Sequence, residues 1–96
     1  MARSGKVAIP PKEPTEITND DVAGAITFQN LSASPIRVIG SLTGVVPTEA
    51  DFDGGLIYGG SQGESGMTLG DLFPGTGFVR LWAVSGSGAT LAVYHA

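Results

Sequence analysis

The sequence contains no cysteine, and this absence excludes several kinds of chemistry. Disulfide bonds, thiolate nucleophiles and cysteine-bound zinc all require that residue. The chain also lacks any run of about 18 apolar residues, and its first residues do not form the apolar stretch of a secretory signal. We therefore expect a protein that does not span a membrane and carries no secretory leader.

Basic residues are scarce beyond the start of the chain. Three of the five, Arg3, Lys6 and Lys12, lie in the first twelve positions. From Glu13 onward two basic residues oppose nine acidic ones, a balance of −7. Such an acidic body repels nucleic-acid phosphates, so we predict no nucleic-acid partner. The basic start is instead expected to meet an acidic protein surface, such as another copy of the same body.

Long windows without glycine or proline are also missing. The 96 residues include 15 glycines and six prolines spread along the whole chain, which predicts minimal helix. The short segments between them are rich in β-branched and aromatic residues and predict about seven strands. The length fits one domain. We predict an all-β fold, a small antiparallel β-sandwich of jelly-roll-like type.

Two pairs of strand candidates are separated by turn sequences and predict hairpins. Residues 25–30 and 36–39 flank a polar turn that contains Pro35, and residues 78–84 and 90–94 flank a glycine-serine turn. Arg37 is expected to face solvent. The second pair is apolar on both faces, so we expect a neighbouring subunit or the N-terminal segment to cover one of them.

The first nineteen residues contain three prolines and predict an extended N-terminal arm (residues 1–19) before a sandwich domain (residues 20–96). At about 3.3 Å per residue such an arm spans about 60 Å, enough to reach a neighbouring subunit. The predicted protein interface consists of ten residues from the arm and the C-terminal strands: Arg3, Lys6, Val7, Ile9, Lys12, Ile17, Phe78, Leu81, Trp82 and Val84.

One motif is typical of enzymes. Residues 59–63 match the G-x-S-x-G pattern of a hydrolase nucleophile, which would make Ser61 the nucleophile. That chemistry needs a following helix and a histidine base, and the one histidine is His95. Because the helix is not predicted, we interpret the motif as a glycine-rich loop and predict no enzyme activity and no catalytic residues.

Acidic clusters raise the question of calcium. The start of the segment 51–54 resembles a calcium loop, but EF-hand spacing requires an acid where the chain has Gln62. We predict solvated acidic turns and neither a metal nor another cofactor. A looser calcium site remains an alternative, formed by Glu49, Asp51 and Asp53 or by Asp20 and Asp21.

Trp82 allows two interpretations. A tryptophan in mid-strand usually belongs to a core or an interface. An exposed ring beside carboxylates can instead stack on a sugar, and then Trp82, Tyr58 and the Asp51/Asp53 loop would form the contact set.

Two long segments, residues 26–38 and 79–93, together resemble small virion proteins of tailed bacteriophages. In this chain, as in those proteins, an asparagine ends one strand before a short polar turn. A strand with the sequence W-A-V-S then precedes the C-terminal strand. The resemblance is to decoration or cement proteins of capsids and to head-fibre subunits. It implies binding to the major capsid protein and to further copies of the chain, as a trimer, on the virion surface after synthesis in the host cytoplasm. A carbohydrate- or receptor-binding module on a fibre or spike is the alternative.

Overall fold

A computed structural model describes residues 2–96. Its regular structure consists of eight β-strands and two single-turn helices. The strands are β1 (Arg3–Ile9), β2 (Thr15–Glu16), β3 (Ala25–Asn30), β4 (Ile36–Ser41), β5 (Leu56–Tyr58), β6 (Gly63–Thr68), β7 (Arg80–Val84) and β8 (Ala89–His95). The helices are α1 (Glu49–Phe52) and α2 (Leu69–Leu72).

The strands form two antiparallel four-stranded sheets. The first sheet has the order β1-β8-β3-β6 and the second the order β2-β7-β4-β5. Each strand therefore lies in a different sheet from at least one of its sequence neighbours, and the pairs β1/β2, β3/β4, β5/β6 and β7/β8 all cross between sheets. This connectivity is that of a jelly roll. The predicted all-β sandwich is confirmed.

The two predicted hairpins are wrong. β3 pairs with β6 and β8 in the first sheet, whereas β4 pairs with β5 and β7 in the second. The turns at residues 31–35 and 85–88 therefore carry the chain from one sheet to the other. A local turn signal predicts a reversal of direction, but it does not specify whether the next strand lies beside the previous one or opposite it.

The extended N-terminal arm is not confirmed. β1 pairs with β8 along its whole length, from Arg3 opposite His95 to Ile9 opposite Ala89, and β2 pairs with β7. Residues alternate along β1 so that Val7 and Ile9 point into the core while Lys6 is exposed. The prolines at positions 10, 11 and 14 lie in the connection between the sheets. Residues 2–19 thus pack within the sandwich.

The core lies between the sheets and contains aliphatic side chains from nearly every strand. Phe28 and Tyr58 meet edge to face across it, with ring centroids 5.1 Å apart. Phe73 and Phe78 form a second edge-to-face pair at 5.5 Å. The largest fully buried apolar side chains are Phe28, Ile17, Ile26, Ile36, Leu81, Leu91, Val38 and Val93.

The outer face of the second sheet is covered by the same chain. Trp82 lies between the core residues Leu81 and Ala83, so its ring is on the outer face, yet it is 5% exposed. The long connection from β4 to β5 runs along this face, where α1 packs on β4 and buries Phe52. This connection explains part of the two-sided apolar pattern, for which the sequence predicts cover by a neighbouring subunit or by the N-terminal segment.

The short and the long connections between strands lie at opposite ends of the sandwich. Residues 10–14, 31–35, 59–62 and 85–88 form one end of the sandwich, called here the short-loop end, because successive strands run in opposite directions. The longer connections 17–24, 42–55 and 69–79 form the opposite end. Neither helix within residues 2–96 has the length and apolar character needed to cross a membrane.

Candidate interaction surfaces

The structure places four of the ten predicted interface residues in the core. Val7, Ile9, Ile17 and Leu81 are at most 7% exposed, and all four belong to the core cluster. Their side chains pack between the sheets of one chain. The sequence pattern that made them look available to a partner is instead the inward half of a strand alternation.

The other six lie at three separate places. Arg3 and Lys6 are on β1, an edge of the first sheet, where the guanidinium of Arg3 donates to Oδ1 of Asn19 at 3.4 Å. Phe78 precedes β7 and packs partly against the core. The remaining three, Lys12, Trp82 and Val84, belong to the outer face of the second sheet or its rim.

One groove joins two of these predicted residues. It has a volume of about 770 Å³ and runs along the outer face of the second sheet near the short-loop end. We call it the Arg37 groove. A smaller cavity of about 230 Å³, lined in part by Ile57, adjoins it on the other side of Arg37. The groove is lined by Lys12, Pro14, Arg37, Glu49, Phe52, Asp53, Val84, Ser85 and Gly86.

The two cations of the Arg37 groove are not engaged in ion pairs with any residue in the range 2–96. Arg37 is exposed, as the sequence predicts. Glu49 and Asp53, which also line the groove, do not approach either cation within ion-pairing distance. The groove therefore carries two cations and two carboxylates, Glu49 and Asp53, beside the half-buried side chain of Val84.

Arg80, in contrast to Arg37 and Lys12, forms several ion pairs. Its Nε lies 2.7 Å from Oδ1 of Asp21, and its terminal nitrogens lie 3.2 Å from Asp20 and 3.4 Å from Glu16. The hydrogen bond to Asp21 is the main reason that the pKa of Arg80 is raised. A hydrogen bond from the backbone N–H of Asp21 is the main reason that the pKa of Asp20 is lowered. This arginine attaches the β2–β3 connection to β7.

The backbone at Lys12 fixes one wall of the groove. Lys12 has a φ of 62°, a left-handed conformation that is uncommon for a residue with a side chain. Its N–H donates to the carbonyl of Ser85 at 2.7 Å, and Pro11 forms a bridge to the same residue. Backbone strain of this kind persists only where the surroundings enforce it. The position of Lys12 beside β7 is therefore held by hydrogen bonding.

A second surface, at the opposite end, is apolar. Leu42, Val45 and Val46 are 61%, 74% and 55% exposed and follow β4 directly. We call these three residues the loop patch. They border a shallow groove of about 400 Å³ whose floor includes Ile39 and Phe78. Exposed aliphatic side chains gathered in one loop are a common mark of a protein contact.

The loop patch is held in place from beneath. The indole Nε1–H of Trp82 donates to Oγ of Ser41 at 2.8 Å, and that hydroxyl donates to the carbonyl of Thr43 at 2.7 Å. At the other end of the loop, Thr48 and Asp51 form a capping box that starts α1. Both ends of the patch are thus tied to ordered structure.

The G-x-S-x-G residues do not assemble with the histidine. Ser61 lies in the β5–β6 turn, where its N–H donates to the carbonyl of Asn30 at 2.9 Å. His95 lies opposite Ile26, at the other end of β3 and about 13 Å further along the strand. Nε2 of His95 accepts from the N–H of Asn19 at 3.1 Å, so a neutral ring carries its proton on Nδ1.

Three of the five acidic residues considered for calcium, Asp20, Asp21 and Asp51, have other partners. Oδ2 of Asp51 accepts from both the N–H and the hydroxyl of Thr48, and Asp20 and Asp21 bind Arg80. Within residues 2–96, no three His, Asp or Glu side chains are grouped so that they would hold a metal ion.

The residues considered for sugar binding also lie apart. Tyr58 is 7% exposed and points into the core against Phe28. Trp82 belongs to the same sheet but is buried on its opposite, outer face. The two rings do not form one platform.

Asn30 has a structural role that sequence reasoning missed. The side chain is fully buried, and its Nδ2 donates to the carbonyls of Ser34, Tyr58 and Gly59 at 2.7, 3.4 and 3.3 Å. Its Oδ1 accepts from the N–H of Ser32 at 3.0 Å. The one available signal was the position of an asparagine two residues before a serine in a turn. Asn30 thus joins two connections of the short-loop end.

The exposure of the loop patch is also not predictable from the sequence, because irregular loops have no periodicity from which exposure can be inferred. In comparisons with known proteins, no family model, no curated protein and no solved structure matches this chain.

Proposed function

We propose that this protein is a non-enzymatic structural protein that binds and stabilises a larger protein assembly. The assembly that the sequence resemblance suggests is the capsid lattice of a tailed bacteriophage, with the protein acting as a decoration or cement protein on the virion surface. Jelly rolls occur in viral capsid and lectin domains, but a fold alone does not define a function.

The observation that carries the proposal is the Arg37 groove. Among residues 2–96, Arg37 and Lys12 form no ion pairs, and they line the groove together with the carboxylates of Glu49 and Asp53 and the side chain of Val84. A partner segment with carboxylates beside an apolar residue would satisfy both features. Charge complementarity of this type aligns partners and excludes wrong ones.

The mechanism would be shared burial repeated over many sites. A standard interface buries about 800 Å² on each partner. On a lattice, many weak contacts act together, so that overall binding is strong although each single contact is modest. The protein would stabilise the lattice by joining neighbouring capsid subunits.

Binding to particles tests the proposal. Particles would be prepared from the phage that encodes this chain, with its gene deleted, and recombinant protein added back. We expect saturable binding in co-sedimentation and a higher melting temperature of the particles in calorimetry. Absence of binding by the unmodified protein would refute the proposal.

A charge reversal tests the role of the groove. Arg37→Glu should weaken particle binding about tenfold or more, because the new glutamate would face and repel the partner's carboxylate. Lys6→Glu makes the same change in charge on the first sheet and is the matched control. Equal losses in the two variants would show that general charge, and not the groove, determines binding.

A further inference from the structure

We propose that a polar groove on the outer face of the first sheet binds a neutral carbohydrate, with Tyr94 stacking on a sugar ring. The groove has a volume of about 350 Å³ and lies where β3 meets β6 and the β5–β6 turn. We call it the Gln29 groove. Because the Arg37 groove lies on the outer face of the second sheet, this site is separate from the one that carries the proposed function.

The side chains that line the groove are almost all polar. They are those of Thr27, Gln29, Ser61, Glu64 and Ser65. The apolar lining residue, Phe28, is 1% exposed and packs in the core, so the groove offers no pocket for an apolar side chain. Each sugar hydroxyl both donates and accepts, and hydroxyl, amide and carboxylate groups match both functions.

The charge of the groove favours a neutral ligand. Glu64 is the one charged residue among those that line it. A carboxylate without a neighbouring cation repels an anionic ligand, and a single carboxylate does not form the oxygen cage that calcium requires. The volume is at the lower end of the about 300–1,000 Å³ typical of small-molecule pockets, which suits a short oligosaccharide.

Hydrogen bonds hold three of the lining side chains in place. Nε2 of Gln29 donates to the carbonyl of Ser61 at 3.0 Å. Oγ1 of Thr27 accepts from a backbone N–H of β6 at 3.0 Å, and Oε2 of Glu64 accepts from the phenol of Tyr58 at 3.0 Å. Side chains that are already ordered lose little conformational entropy when a ligand binds, so their contacts contribute efficiently to affinity.

Other polar groups of the groove have no protein partner. Among residues 2–96, Oε1 of Gln29 and Oε1 of Glu64 form no hydrogen bond, and neither do the hydroxyls of Ser61 and Ser65. Each of these side chains is exposed or half-exposed, so water binds them in the free protein. The hydroxyls of a sugar can take the place of that water and keep its hydrogen bonds.

The backbone at Ser61 is strained. Its φ of 67° is left-handed and uncommon for a residue with a side chain. Both of its backbone groups are bonded, the N–H to the carbonyl of Asn30 and the carbonyl to the side chain of Gln29. Strained residues that are held in this way cluster at ligand-binding sites. The conformation fixes the position of the Ser61 hydroxyl beside Gln29.

Tyr94 supplies the aromatic surface. It lies opposite Thr27 in the pairing of β8 with β3, so the two side chains share the outer face and their Cβ atoms lie about 5 Å apart. The side chain of Tyr94 is 50% exposed. An exposed ring can stack on the C–H face of a sugar while neighbouring polar groups bind the hydroxyls. Tyr94 and the groove thus provide both kinds of contact on one face.

A glycan array tests the proposal. The protein would be coupled at high density to fluorescent beads, because many contacts acting together reveal weak individual binding. We expect neutral oligosaccharides to bind. Sialylated or sulfated forms of the same oligosaccharides should bind more weakly, because Glu64 repels the added negative charge. Absence of any neutral ligand, or a preference for the acidic forms, would overturn the proposal.

Substitutions at the ring test the stacking contact, with titration calorimetry of the neutral oligosaccharide that binds best on the array. Tyr94→Ala should weaken binding about tenfold, whereas Tyr94→Phe keeps the ring and should bind nearly as the unmodified protein does. Lys6→Ala is the control, since Lys6 is exposed on the same sheet at the other edge. Unchanged affinity of Tyr94→Ala, or an equal loss in Lys6→Ala, would overturn the stacking contact.

Substitutions in the groove test the polar contacts. Gln29→Ala should weaken binding about tenfold, because it removes an amide that binds a sugar hydroxyl. Ser61→Gly removes the hydroxyl at a position where glycine adopts the same φ without strain, and should weaken binding severalfold while the protein stays folded. Unchanged affinity in both variants would place the sugar outside the groove and overturn the proposal.

Particle binding separates this site from the proposed function. Arg37→Glu should leave sugar binding unchanged, and Tyr94→Ala should leave particle binding unchanged, because the two grooves lie on different sheets. Particle binding by a protein that binds no neutral sugar would overturn the carbohydrate site alone. Sugar binding by a protein that does not bind particles would support the carbohydrate site and refute the proposed function alone.

Discussion

Tyr58 and Glu64 connect the two sheets of the jelly roll. The phenol of Tyr58, on β5 of the second sheet, donates a hydrogen bond of 3.0 Å to Oε2 of Glu64, on β6 of the first. Burial of the phenol, followed by its hydrogen bond to Glu64, raises the pKa of Tyr58. The neutral phenol is thus the form that the folded protein binds between its sheets.

This contact predicts a loss of stability at alkaline pH. Because the pKa of Tyr58 is higher in the folded than in the unfolded chain, its contribution is fully present below about pH 10 and decreases as the pH rises toward the folded pKa. In a Tyr94→Phe background, Tyr58 is the one remaining tyrosine, and absorbance at 295 nm reports its ionisation. We expect phenolate to appear together with unfolding. Ionisation near pH 10 with the fold intact would contradict the contact.

Asn30 is predicted to be one of the most sensitive polar positions. Asn30→Ala leaves three carbonyls and one N–H without the side chain that satisfies them, and should lower the free energy of unfolding by about 3 kcal/mol in urea titrations. Gln29→Ala is the control, because Gln29 is exposed and donates one surface bond, to Ser61. Its effect should be about 0.5 kcal/mol. Similar values for both variants would argue against the buried network.

The N-terminal strand should be essential for stability. Ile9→Ala should cost about 2–4 kcal/mol, since Ile9 is 2% exposed and packs in the core. Lys6→Ala, three residues earlier on the exposed side of the same strand, should change stability by no more than about 0.5 kcal/mol. A detached arm would make both substitutions neutral. Chemical denaturation of the two variants distinguishes these cases.

Trp82 provides an optical probe of the loop patch. Its ring is 5% exposed and its N–H is bonded to Ser41, so emission should be blue-shifted and poorly quenched by acrylamide. Ser41→Ala removes the acceptor and should cost about 1–2 kcal/mol and increase quenching. Ser34→Ala, which removes an exposed hydroxyl bonded to Ser87, should have little effect. A red, fully quenchable emission from the unmodified protein would contradict the burial of Trp82.

The fold class was predictable from the sequence, whereas the connectivity was not. Glycine and proline at short intervals exclude long helices, and β-branched segments between them define strands such as β3 and β4. Whether β4 lies beside β3 or opposite it depends on tertiary pairing with β7, which no local pattern encodes. The same limit applies to residues 1–19, where prolines suggested an arm but the inward alternation of Val7 and Ile9 matches a core strand.

The surfaces were predictable in part. The exposure of Arg37 followed from its place between apolar residues in a strand. The apolar loop at Leu42, Val45 and Val46 did not, because its residue types are also those of a core strand. The hydrogen bonds of Asn30 connect positions up to 29 residues apart, and such contacts arise only once the sheets have packed.

The pairing of β1 with β8 also determines when the chain can fold. Arg3 lies opposite His95, so the first sheet cannot close until β8 has been synthesised and has left the ribosome. Contacts between residues so distant in sequence form slowly, since a long loop must close before they stabilise the chain. We therefore expect folding in one step on a timescale of milliseconds to seconds, as is typical of all-β proteins with non-local pairing. Until β8 is available β1 has no partner strand, and chaperone binding at β1 would protect it from aggregation.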